Sequence, residues 1–217
     1  MASLNFRAIV FDFDGVIIES VGIKKQSYRQ LFEEEFSGHL GKILAYQESR
    51  GGVTRRRQFE EIYESILREE PGPGRVDALE KRYVGLMFER VVSASLVPGA
   101  FDFLEKFHQR IDLFVASTTP EDELNHIVRE RGLASFFKDV YGAPMRKAEA
   151  LGLIARRVGC APGEIVFIGD YPTDREAAES AGVPFIARLG STDEMENCPE
   201  KVRDLTELAA LLERMAG

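Results

Sequence analysis

The chain has 217 residues, 44% of them apolar and 29% charged, with a net charge of −8 at pH 7, enough for one good core or a core plus a smaller domain. The acidic surplus argues against the broad basic face that a nucleic-acid partner needs, and no apolar run reaches the roughly 18 residues of a membrane span. A basic region followed by a long apolar run is missing at the N-terminus, so no signal peptide is expected, and two widely spaced cysteines, Cys160 and Cys198, argue against a disulfide framework or zinc site and fit a reducing cytosol.

Residues 7–12 read as a buried strand, because Ala8-Ile9-Val10-Phe11 is apolar without alternation. Helical spacing follows: Ile23–Phe36, a short helix over His39–Gln47, Arg55–Glu69 behind a break at Arg50-Gly51-Gly52-Val53-Thr54 with Thr54 as its cap, and Val76–Ser93 after Pro71-Gly72-Pro73-Gly74. After Pro98-Gly99 strands alternate with helices: helix Phe101–Arg110, strand 112–116, helix Glu121–Arg131, a weak strand at Val140-Tyr141, helix Lys147–Val158, strand Ile165–Ile168, helix Thr173–Ala181, a last strand Pro184–Ala187 and a closing helix Leu205–Met215. The pattern predicts an α/β fold: a Rossmann-like parallel sheet core with helices on both faces and an inserted α-helical cap domain. The core is expected in 1–16 and 97–217, the cap in 17–96.

Three apolar strands end in polar groups: Asp12 and Asp14, Ser117 and Thr118, then Asp170 and Asp174. Parallel sheets bind ligands outside the carboxyl ends of their strands, so the fold alone gathers these groups. Taken singly, each has a plain structural explanation as a turn residue, a helix cap or, for Lys147, a surface charge. Asp12 and Asp14 resist it. Residues two apart on a strand face one side, and two carboxylates there repel unless a cation or a shared proton relieves them. Gly15 behind them permits a sharp change of direction.

On these residues the sequence resembles the haloacid dehalogenase superfamily, and within it the helical-cap phosphatases such as phosphoglycolate phosphatase and β-phosphoglucomutase. The resemblance covers nearly the whole chain. Its motifs are Asp12-Phe13-Asp14-Gly15-Val16; Ser117 after Leu113-Phe114-Val115-Ala116; Lys147 in Gly142-Ala143-Pro144-Met145-Arg146-Lys147; and Gly169-Asp170-Tyr171-Pro172-Thr173-Asp174. Two departures stand out. Lys147 lies five residues beyond Gly142, where many relatives have lysine directly after the glycine, and Glu19 occupies a place where relatives often have aspartate.

The resemblance implies a Mg²⁺ cofactor held by the Asp12 carboxylate, the Asp14 carbonyl and Asp170, with Asp174 behind them or as an occasional ligand. It implies Asp12 as nucleophile and Asp14 as general acid and then base. Gly15, Ser117, Thr118 and Lys147 would meet the phosphoryl group, and Asp174 would orient Lys147. Asp14 sets the reaction class, since dehalogenating relatives lack that aspartate. Gly52-Val53-Thr54-Arg55 is similar to a substrate-selecting loop of β-phosphoglucomutase, which makes Arg55 a candidate contact for a remote anionic group. Its plainer reading is a solvated helix start in the run Arg55-Arg56-Arg57.

The expected function is a cytoplasmic phosphomonoesterase whose partner is a small phosphorylated metabolite, with neither nucleic acid nor membrane involved. The nearest alternative is a phosphomutase. A phospho-acceptor receiver domain needs only roughly half this length, and its acidic pair lacks this spacing. A binding protein on a decayed fold is opposed by the presence of all four motifs.

Overall fold

A computed structural model describes residues 5–50, 53–190 and 192–215. Positions 51 and 52, which hold part of the predicted break and of the Arg55 loop, lie outside them. The chain divides into two compact units, Met1–Glu19 with Ser95–Gly217, and Ser20–Ala94. The divisions fall near 19 and 95 rather than 16 and 97, because Ile18 bridges to both Asp14 and Leu96 and keeps these linkers beside the sheet.

In the first unit the apolar runs become parallel strands: β1 (Ala8–Phe11), β2 (Asp112–Pro120), β3 (Asp139–Ala143), β4 (Ile165–Gly169), β5 (Phe185–Arg188) and β6 (Lys201–Val202), in the order β3-β2-β1-β4-β5-β6. This is a Rossmann-like α/β sheet. The helices are α5 (Ala100–Phe107), α6 (Glu121–Glu130), α7 (Lys147–Val158), α8 (Pro172–Ala181) and α9 (Leu208–Met215), numbered after four in the other unit.

Alternation divides the sheet's side chains between its faces. Ala8, Val10, Phe114, Ala116 and Phe167 pack on Ala150, Leu151 and Ile154 of α7 and Ala178 of α8. Phe11 turns the other way and meets Phe103 of α5 edge-on at 5.9 Å. Phe11, the last residue of β1, registers with Val115 inside β2 on one side and with Ile168 near the end of β4 on the other. From β1 the order runs outward through β2 and β3 and resumes at β4 on the opposite side. The β1/β4 boundary is therefore the switch point, where such sheets place a ligand crevice.

Three expectations need correction here. β2 runs on through Ser117-Thr118-Thr119-Pro120 instead of stopping at Ala116, with a register shift against β3 between Ala116 and Pro120. β6 has no counterpart among the predicted elements, since two residues beside a Cys-Pro step carry no strand periodicity. The closing helix starts at Leu208, three residues late.

The second unit holds α1 (Val21–Phe36), α2 (Leu40–Ser49), α3 (Arg55–Glu61) and α4 (Arg75–Val92). Tyr28, Leu31 and Phe32 recur at helical spacing on α1 and are buried. Tyr28, Phe32, Phe59 and Tyr83 form its aromatic centre, with ring centroids 4.8 to 6.1 Å apart for the pairs Tyr28–Phe32, Phe32–Phe59 and Tyr28–Tyr83. Thr54 stands at the N-cap of α3 but makes no side-chain capping bond. The helix predicted to Glu69 widens to π geometry over 62–67 and ends at Arg68, whose φ of 57° is left-handed. No helix among the described residues is long and apolar enough to cross a membrane.

Glu19, the last residue of the first unit's opening segment, donates its N–H to the Ser95 carbonyl at 2.9 Å. Its carboxylate pairs with Arg188 at the end of β5. Arg188 is buried, and its Nε has no hydrogen-bond partner among the described residues. Removing Glu19 takes away a counter-charge from a cation that water reaches poorly. Because the Glu19 side chain is 41% exposed, the cost lies between surface and buried cases: Glu19→Ala is expected to lower stability by ~1–2 kcal/mol. Scanning calorimetry checks this as a midpoint about 5 °C below wild type.

Candidate active site

The acidic residues and Lys147 arrive at the carboxyl edge of the sheet by local rules. Asp12 is the first residue beyond β1, and its N–H donates to the Ile168 carbonyl at 2.8 Å, holding it against β4. Its Oδ1 accepts from the Phe13 N–H at 2.6 Å. Gly15 has a φ of 76°, a left-handed turn that sends the chain back so that its N–H reaches the Ile18 carbonyl at 2.8 Å.

Lys147 opens α7, and its Nζ donates to Asp12 Oδ2 at 2.7 Å and to Asp174 Oδ1. All three side chains are nearly sealed from water. The longer approach from Gly142 therefore ends with the ammonium between two carboxylates. Asp174 sits in the first turn of α8, where its Oδ2 accepts from the N–H groups of Asp170 and Tyr171 at 3.2 and 3.1 Å. A side chain at Gly169 would collide with it, since a Cβ there would lie 2.4 Å from that of Asp174. Glycine thus permits α8 to fold its aspartate back onto the strand end.

Carboxylate oxygens of Asp12, Asp170 and Asp174 lie within 4.8 Å of one another, all buried. Three acids against Lys147 leave an excess of negative charge, and every donor is a hard oxygen. That is the chemistry a small divalent cation such as Mg²⁺ requires. Burial pushes the Asp12 carboxyl up from its ordinary value of 3.8 to about 7, against the attraction of Lys147 and with the help of Asp174 and Asp14. Burial also works against the charge of Lys147, but Asp12 and Asp174 outweigh it and push its pKa up, so it remains an ammonium.

Ser117 is buried on the extended end of β2, and its Oγ accepts from the Thr119 N–H at 3.2 Å. Thr118 between them is half-buried. Thr119 Oγ1 donates to Asp14 Oδ2 at 2.9 Å. Thr119 is absent from the predicted site because the predicted strand ends before it. The run Ser-Thr-Thr ahead of a proline is the trace it leaves. Arg55 belongs to the second unit, where its guanidinium lies 4.5 Å from the centre of the Tyr83 ring. Its neighbours in the basic run are ion-paired, Arg56 with Glu80 at 2.7 Å and Arg57 with Glu61 at 2.9 Å.

The sequence pattern of the haloacid dehalogenase-like hydrolases matches residues 6–182. The chain is 26% identical over 186 residues to a phosphorylated carbohydrates phosphatase of Thermotoga maritima, covering 82% of each. It is 25% identical over 184 residues to a phosphoglycolate phosphatase of Synechococcus elongatus, covering 83% of this chain and 82% of that one. Its fold is similar to that of the hydrolase YfnB of Bacillus subtilis bound to magnesium, with a TM-score of 0.70 at 21% identity, covering 95% and 98% of the two chains. The chain belongs to the haloacid dehalogenase-like hydrolases, and it is an enzyme of their phosphatase type.

Proposed function

We propose that this protein is a Mg²⁺-dependent phosphomonoesterase that hydrolyses a small phosphorylated metabolite of the cytoplasm through an aspartyl-phosphate on Asp12. The observation that carries the reading is the buried lysine between two carboxylates at the switch point, Lys147 Nζ lying 2.7 Å from Asp12. A carboxylate is repelled by a phosphate dianion, and a fixed cation at that position reduces the repulsion. Asp12, the Asp14 carbonyl and Asp170 would hold Mg²⁺, with Asp174 beside them, and the ion when bound adds to the neutralisation of the phosphoryl oxygens.

In the first half-reaction an Asp12 carboxylate oxygen forms a bond to phosphorus as the ester P–O bond breaks. The departing alkoxide takes the proton of Asp14. Lys147, the Ser117 hydroxyl and backbone N–H groups near Gly15 and Thr118 hold the phosphoryl oxygens. In the second half-reaction Asp14 removes a proton from water, whose oxygen bonds to phosphorus as the bond to Asp12 breaks and inorganic phosphate leaves. Arg55 is assigned to a remote anionic group of the substrate, and the helical unit that carries it to the cap that excludes water.

The test is a panel of phosphorylated metabolites, with phosphoglycolate and hexose phosphates first. Phosphate release is expected from at least one of them, lost in EDTA and restored by Mg²⁺. Conversion of glucose 1-phosphate to an isomer without phosphate release would instead identify a mutase. Release that persists unchanged in EDTA would remove the metal from the reading.

A further inference from the structure

We infer that Thr119 is a positioning residue for the proton-transferring Asp14. The two residues stand 105 positions apart, at the ends of adjacent strands, and are joined by the 2.9 Å bond from Thr119 Oγ1 to Asp14 Oδ2. Thr119 is 4% exposed, so its hydroxyl is committed to protein rather than to water. A buried threonine is most simply satisfied by nearby backbone. This one donates instead to an acid on another segment.

Three consequences follow from that donation. Oδ2 accepts from Thr119, so when Asp14 carries a proton it sits on Oδ1. A carboxyl group turns about its last torsion through a broad, roughly two-fold well, and the hydrogen bond removes that freedom. The same residue's N–H donates to Ser117 Oγ at 3.2 Å, which leaves the Ser117 proton for a phosphoryl oxygen. One residue thus sets both the oxygen that delivers the leaving-group proton and the serine that faces the phosphoryl group. The extension of β2 past Ala116 is what brings Thr119 to this place.

Proton delivery matters most when the leaving group is a poor one. A p-nitrophenolate departs without a proton, a phenolate needs one more, and a benzyl alkoxide most of all. The experiment measures kcat/KM, which reports the transfer to Asp12, for p-nitrophenyl, phenyl and benzyl phosphate in wild type, Thr119→Val and Thr119→Ser. The valine variant is expected to lose about 10- to 100-fold on benzyl phosphate, at least tenfold more than on p-nitrophenyl phosphate. Serine restores the hydroxyl and is expected to recover the wild-type dependence on leaving group.

Equal losses on all three esters, wild-type rates throughout, or a serine variant that behaves like valine would each overturn the role. Thr119→Ala repeats the comparison should the valine variant not fold. Thr119's role presupposes the phosphatase reading, and the wild-type rates check that reading separately. A wild type inert on every ester defeats the function, whereas an active wild type with parallel losses in the variants defeats only Thr119.

Discussion

Asp12→Asn is expected to lower ester hydrolysis by about 10⁴-fold or more while raising the melting temperature of the metal-free protein at pH 8. The first effect follows from the role of nucleophile proposed for Asp12, because an amide oxygen does not form the phosphoryl intermediate. The second follows from burial. Asp12 is a carboxyl whose folded-state pKa, about 7, lies above its ordinary 3.8. Between those values the folded state holds a proton that the unfolded state has released, so stability falls as pH rises through the window. Each tenfold change in proton affinity is worth about 1.4 kcal/mol, which makes ionised Asp12 a burden of a few kcal/mol above pH 7. Asparagine carries no such burden, although it gives up the ion pair to Lys147. Melting curves of metal-free wild type and variant should separate by several degrees at pH 8 and converge towards pH 4. A variant that is less stable than wild type at pH 8 would show that the ion pair outweighs the desolvation.

Lys147→Met removes the partner instead of the charge, and the expected sign of the stability change reverses. Asp12 and Asp174 keep their positions behind 9% and 0% exposed side chains and lose the ammonium that separates them. Breaking a buried pair from one side costs about 3–5 kcal/mol, or roughly 10 °C in a domain of this size. Asp12, already raised above its ordinary value by burial, now loses the attraction of Lys147 and resists ionisation more strongly, so the deficit should be small near pH 4 and grow as pH rises. Activity should fall about 10²–10³-fold through loss of a fixed charge on the phosphoryl oxygens. Millimolar Mg²⁺ should recover part of the stability and little of the activity, because a cation in the acidic cluster relieves repulsion without standing where Nζ stood. Thermal melts at pH 5 and pH 8, each with and without Mg²⁺, check the pattern. A pH-independent deficit would mean that lost packing of the lysine stem, rather than charge, sets the cost.

Comparing the two substitutions separates parts of the site that act together in the native protein. Asparagine at 12 and methionine at 147 are both expected to lower activity, yet to move stability in opposite directions. A site built only for stability would have no reason to keep an ionised aspartate under that burden. On the proposed function, the metal-free site is destabilised by the same charge that attack on phosphorus would use.

Much of this arrangement is local and legible in the amino-acid order. Continuous apolar runs with helical spacing between them define β1, β4 and α7 closely, because burial on both faces of a parallel sheet demands such runs. Asp12 and Asp14 announce themselves because two carboxylates two residues apart at a strand end repel unless a cation or a shared proton relieves them. Asp170 and Asp174 follow β4 in the same way, and Lys147 opens its helix as the periodicity predicts. Other features depend on register between segments far apart in the chain, which periodicity does not report. β2 continues through Ser-Thr-Thr-Pro because β3 pairs with it again at Pro120, β6 has only two residues and exists through pairing with β5, and Glu19 finds Arg188 across 169 positions. The bond from Thr119 to Asp14 belongs to this second class. Which carboxylates stand at the strand ends is written in the order of the residues, because each follows directly on its own apolar run. Which hydroxyl meets Asp14 is settled by the pairing of distant segments, because it depends on how far one strand runs past its neighbour.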